Sequence, residues 1–121
     1  MQPDEVRWAM QLRGVSPVEP GRLIKSLTSA IIACGGWVLS RGASDSGILD
    51  FLFEFERHAC VDIYAVLISV GIDLSPNAHL RFTELCQCTG HALQDRGQEI
   101  VSIDLEIWMG RYTEQGIGNR E

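Results

Sequence analysis

The segment "ILDFLFEFER", residues 48–57, constrains the fold more than any other stretch of the chain. Leu49, Phe51, Phe53 and Phe55 alternate with Ile48, Asp50, Leu52, Glu54 and Glu56. Successive side chains of a strand point to opposite faces. One face of this strand is therefore wholly apolar and the other carries three acids. Such a strand belongs in a sheet that is packed on one side only.

Two more segments read the same way. In "VRWAMQLR", residues 6–13, Val6, Trp8, Met10 and Leu12 share one face, and Arg7, Ala9, Gln11 and Arg13 the other. In "EIVSIDLEIWM", residues 99–109, Val101, Ile103, Leu105, Ile107 and Met109 point inward. Ile100, Ser102, Asp104, Glu106 and Trp108 point outward. A short strand, "WVLSR", residues 37–41, precedes the turn "GASDSG", with Trp37 and Leu39 as its expected inward pair.

The helices sit between these strands. Leu23, Ile24, Leu27, Ala30, Ile31 and Cys34 recur at helical spacing, which predicts an amphipathic helix over 21–34. Gly35-Gly36 ends it, because glycine tolerates the left-handed cap conformation. "ACVDIYAVLISVG" predicts a further helix, with Val61, Tyr64, Ala65, Leu67 and Ile68 on one face and Gly71 as its stop. Its β-branched content leaves a strand as the alternative. Ser75-Pro76 is a strong start signal for a last helix over 76–95, with Leu85, Thr89, Ala92 and Leu93 inward.

The order is strand, helix, strand, strand, helical region, strand. Its simplest closure is an α+β, ferredoxin-like βαββ(αα)β sandwich: a four-stranded antiparallel sheet with helices on one face. That closure sets the first strand between the third and the fourth. Arg7 and Arg13 would then face Asp50, Glu54 and Glu56 on one side and Asp104 and Glu106 on the other, at roughly 0.2–1 kcal/mol per cross-strand pair. Residues 1–109 are expected to form the single domain and 110–121 a flexible tail.

The segment from Glu19-Pro20-Gly21-Arg22-Leu23 through Leu27 and Ala30-Ile31 to Gly35-Gly36-Trp37 resembles the opening of an ACT domain. The resemblance covers residues 6–57. It implies a regulatory module that senses a small ligand, often an amino acid, between paired domains. The ligand would be an amino acid or small carboxylate, contacting Glu19, Gly21, Arg22 and Gly36. The helical region of residues 58–96 is about twice what that family uses. The Pro20-Gly21 turn also has a plainer reading, in which Pro20 presets the helix and Gly21 relieves crowding.

The chemistry-bearing residues give weaker patterns. "CQCTGH", residues 86–91, invites a metal reading, with His58 and Cys60 upstream. Positions two apart on a helix point to opposite sides, so Cys86 and Cys88 cannot close on one ion. No metal or cofactor is expected, and the four cysteines are expected to be thiols. No nucleophile elbow occurs. The reading is a non-enzymatic ligand-binding or protein-interaction module with no catalytic residues. The alternative is an enzyme using the 58–96 region.

Ten basic against sixteen acidic side chains give a net charge of −6, which repels nucleic acid and anionic membranes. An RNA-recognition reading also fails, because Phe51, Phe53 and Phe55 lie on the core face beside an acidic outer one. The run "YAVLISVGI" has nine residues, far below the roughly 20 that span a bilayer. With no apolar leader read at the start, a cytoplasmic location is the expectation. Finally, Ile48, Leu52, Ile100 and Trp108 point outward on one sheet face, which predicts a symmetric homodimer through it.

Overall fold

A computed structural model of the chain describes residues 6–96 and 98–109, with the side chains of residues 6, 7 and 88–96 excepted. The expected tail, 110–121, lies outside the described residues, and so do the side chains of the expected inward positions Thr89, Ala92 and Leu93. Strand β1 spans Val6–Ser16, helix α1 Pro20–Ala33, β2 Trp37–Ala43 and β3 Ile48–Glu56. A 3-10 turn at Arg57–Ala59 leads into α2, Cys60–Ser69. Then come β4, Asp73–Leu74, α3, Pro76–Arg96, and β5, Ile100–Met109.

The architecture is α+β, but the sheet is not the expected four-stranded antiparallel one. Five strands run in the order β2-β3-β5-β1-β4, and β1 pairs β5 in parallel. The cause lies in the long helical region. A ferredoxin-like fold spans from the third strand to the last with one helix. Here α2 carries the chain to the end of the sheet where β4 pairs Gly14 and Val15. Then α3 brings it back. The last strand therefore starts where β3 ended, runs antiparallel to it, and slots between β3 and β1.

The expected charge pattern fails with that order. Arg13 does meet Glu106, at 3.2 Å. But β3 and β5 are neighbours, so Asp50 lies directly opposite Glu106 and Leu52 opposite Asp104.

Burial follows the strand patterns on β1, β3 and β5. Met10, Leu12, Leu49, Phe51, Phe53, Phe55, Val101, Ile103, Leu105 and Ile107 are buried under the helices. From α1, Leu23, Leu27 and Ile31 meet them, as the spacing predicts. Aromatic rings link the layers: Phe55 stacks on Phe82 of α3 at 6.4 Å, and Phe82 lies 5.2 Å from Tyr64 of α2. Ser75 starts α3 as expected, its hydroxyl accepting from the Ala78 N–H at 3.1 Å.

Two faces differ from the sequence reading. On β2, Val38 packs against the core, while Trp37 and Leu39 are exposed. Trp37 pairs with outward-facing Glu54, and its indole N–H donates to the Glu54 carboxylate at 3.0 Å. A bulge after Val38 leaves Leu39 outside the ladder. On α2, the buried residues are Cys60, Ile63 and Leu67, whereas Val61 and Ile68 face solvent. Helix is nonetheless the correct reading of that segment.

One buried charge fixes the start of β5. Arg57, only 4% exposed, pairs with Glu99 at 2.7 Å and lies over the Trp8 ring at 4.8 Å. Its backbone N–H also donates to the Glu99 carbonyl at 2.8 Å. Removing one partner takes a close opposite charge away from a buried ion. Glu99→Ala is expected to cost about 3 kcal/mol in urea unfolding, whereas Arg57→Met with Glu99→Leu should recover most of that loss. Equal losses in the single and double variants would show that the ion pair does not matter.

Candidate functional site

The loop from β1 to α1 was the expected ligand site, and the local structure shows what it is built for. Pro20 opens α1 and Glu19 is its cap, the carboxylate accepting from the Arg22 N–H at 2.9 Å. The α1 N-terminus is thus already faced by an anion from the chain itself. An incoming carboxylate would have to compete with it.

The four expected ligand residues are not brought together. Glu19, Gly21 and Arg22 sit at the start of α1, and Gly36 follows its end. A helix of 14 residues is roughly 20 Å long, so one small molecule cannot span both. Gly36 has a structural reason to be glycine. A Cβ there would lie 2.9 Å from the Glu54 carbonyl oxygen and 2.9 Å from Ile31 Cγ2. At Gly21 a Cβ would meet only the Glu19 side chain, at 3.3 Å.

A depression does open beside Glu19, between the loop 17–20 and the β2–β3 turn. Its volume is about 490 Å³, within the ordinary range for small-molecule sites. Its walls are Pro17, Val18, Pro20, Ile48, Leu49 and Met109, and its polar groups are Glu19 and the turn residues Ser44, Asp45 and Ser46. Among the described residues, no lysine, arginine or histidine lines it.

The turn is tightly bonded. Ser44 N–H donates to the Ile48 carbonyl at 2.8 Å, the Ser44 and Ser46 hydroxyls are 2.9 Å apart, and Gly47 adopts φ 87°. Met109 N–H then donates to the Gly47 carbonyl at 3.1 Å, locking the turn to the end of β5. Sequence reasoning reads "GASDSG" as a turn and nothing more. No signal in it reveals that Met109 and Pro17 would close a site around it.

The open face of the sheet is the second feature. Ile48, Trp108 and Val15 form one row across β3, β5 and β1. Leu52 lies two rows away, opposite Asp104. Ile100 is eight residues from Trp108, roughly 26 Å along the strand, and only 6% exposed. The four outward apolar residues are therefore not one patch. The contiguous apolar row is Val15, Trp108 and Ile48, with Val15 absent from the expected set.

The other reactive side chains do not converge. Among the described residues no three His, Cys, Asp or Glu side chains are placed to hold a metal ion. Tyr64 Oη lies 2.6 Å from His79 Nδ1, with the two rings edge-on; the pair joins α2 to α3 beside Phe82. His58 Nε2 meets Glu56 at 2.8 Å on the exposed rim. Cys34, Cys60 and Cys86 form no disulfide among the described residues. A hydrogen bond with Cys60, and then burial, push the Cys86 thiol well above its ordinary range. Burial, with the nearby Asp62 charge, raises Cys34.

The chain matches no protein-family model, no curated protein and no solved structure. No helix among the described residues is long and apolar enough to cross a membrane.

Two outcomes are expected from this geometry. Gly36→Ala should cost about 1–3 kcal/mol by overpacking, and Gly21→Ala should leave stability unchanged or raise it by up to about 1 kcal/mol. Denaturant melts of both variants check this; a severe loss at Gly21 would show a tighter loop than described. The raised thiols should resist alkylation, since the thiolate is the nucleophile. Peptide-resolved iodoacetamide labelling at pH 8 should leave the raised Cys86 thiol, and Cys60 by its full burial, unmodified until urea is added.

Proposed function

We propose that the chain is a non-enzymatic binding module, and that its small-molecule site is the depression between the loop 17–20 and the β2–β3 turn. One observation carries the reading. Three separate segments, residues 17–20, 43–49 and Met109, meet there around a turn that Met109 locks in place, so the cavity is preformed rather than a gap between mobile loops.

The lining selects the ligand class. Apolar walls end in two carboxylates, Glu19 and Asp45, with no basic side chain among the described lining residues. An anionic ligand would find no counter-charge among the described lining residues and would meet the Glu19 cap. A small apolar molecule with an amine or other donor head fits better than a free carboxylate. The amine would lie near Asp45 and the apolar body against Val18 and Met109. Signalling that occupancy to a partner protein is the regulatory use that the ACT-like resemblance implies. Against an enzyme stands the plain character of the described polar groups: carboxylates and turn hydroxyls, with no histidine among the described lining residues.

The test is a thermal-shift comparison of short apolar amines with carboxylic acids of the same shape. An amine at a hundred times its Kd should stabilise the chain by about 2.7 kcal/mol, and the matching acid should do nothing. Asp45→Asn should remove the amine effect while leaving the unliganded melt unchanged. Equal stabilisation by acids and amines, or an amine effect that survives Asp45→Asn, would overturn the assignment.

A further inference from the structure

A second surface points to a different occupant. On the sheet face opposite the helices, Gln11, Arg13, Val15, Asp50 and Asp104 are all exposed. Its charge is one-sided. Glu56, Glu54, Asp104, Asp50 and Glu106 occupy successive rows of the β3–β5 pair. Among the described outward side chains of the ladder, Arg13 is the basic counterpart, and it is spent on Glu106. The rows from residue 100 to residue 106 of β5 cover roughly 20 Å, the length of a short extended segment.

The arrangement is not one that stability favours. Like charges directly opposite across a ladder are destabilising, and Asp50 faces Glu106 in the middle of the sheet. An apolar row borders the acids at one end, where Trp108 sits between Ile48 and Val15. A shallow hollow of about 500 Å³ continues from Trp108 and Val15 to Leu74, Pro76 and His79. It is large enough for one bulky side chain.

We propose that the open sheet face docks a basic polypeptide segment carrying one large apolar side chain, its cations over the β3–β5 carboxylates and its apolar group at Trp108. A second copy of the chain is the poorer occupant. A twofold axis would set this acidic face against an equally acidic one. A basic segment instead neutralises it, and steers itself there by long-range attraction. The proposal is independent of the small-molecule site, since none of these carboxylates lines that cavity.

The experiment uses the whole chain and three synthetic peptides of about nine residues, a length set by the roughly 26 Å from residue 100 to Trp108. The first alternates lysine and serine with one leucine near an end. The second replaces lysine by glutamate, and the third replaces leucine by serine. The first should bind and shift the backbone amides of Leu52, Asp104 and Glu106. Its affinity should fall about tenfold between roughly 50 and 200 mM salt. The glutamate peptide should not bind. Asp50→Lys with Asp104→Lys should abolish binding, and the shape-preserving Asp50→Asn with Asp104→Asn should weaken it severalfold. Trp108→Ala should weaken the leucine peptide and leave the leucine-free one unchanged. The proposal fails if the glutamate peptide binds equally, or if the double lysine variant still binds. It also fails if the shifts map to residues 43–47, or if light scattering shows a dimer that Trp108→Asp dissociates.

Discussion

The two ladders of β5 hold this fold together. β5 is the last strand in sequence and the middle strand in space, parallel to β1 and antiparallel to β3. Without it, β1 with β4 and β2 with β3 are two separate ribbons, and a two-stranded ribbon is marginal in water. Both of its ends are tied. Arg57 and Glu99 fix its entry, and the Met109 N–H fixes its exit against Gly47. The sheet therefore closes only after the long α2–α3 excursion has returned, so its closure depends on contacts distant in sequence.

That dependence explains which parts of the fold are readable in the residues. The one-faced strands are legible because period-2 alternation is set by the backbone itself, as at Phe51, Phe53 and Phe55. Helix α1 is legible through Leu23, Leu27 and Ile31, and the start of α3 through Ser75-Pro76. Strand order is not written locally. Arg13 flanked by acids is satisfied equally by one acidic neighbour, Glu106, as by two. The number of times the helical region reverses the chain decides the topology, and β4, of two residues, is too short to leave a periodic signal. Edge strand β2 is misread for a related reason: half-exposed strands bear weak patterns, and a shift of one residue turns Trp37 from core to surface.

The candidate site is legible only in part. Glu19 and Pro20 were visible as a helix start with possible ligand value, and they do border the cavity. The opposite wall comes from a turn and from the last residue of β5, and no spacing rule connects position 44 to position 109. The α1 N-terminus illustrates the converse. Its pattern of Pro-Gly before a helix matches an anion site, yet the side chain of the preceding residue, Glu19, already fills that role. Which partner satisfies a helix end is a geometric fact that the pattern leaves open.

The small-molecule cavity and the acidic face share one structural dependence. The cavity needs Met109 against the turn, and the face needs β3 beside β5. Neither surface exists before β5 is seated. An occupant of either binds the folded state and not the unfolded one, so each raises global stability by the same mass-action law. Stabilisation alone therefore reports that something binds, without telling which surface holds it. Backbone positions distinguish them, because Ser44 to Gly47 belong to one surface and Asp104 and Glu106 to the other. The shared strand does not by itself make the surfaces cooperative. Cooperativity requires an element with two arrangements that each occupant favours differently. The turn is held by bonds from Ser44 and Met109 in the single arrangement described, so the two occupants are expected to add their effects independently.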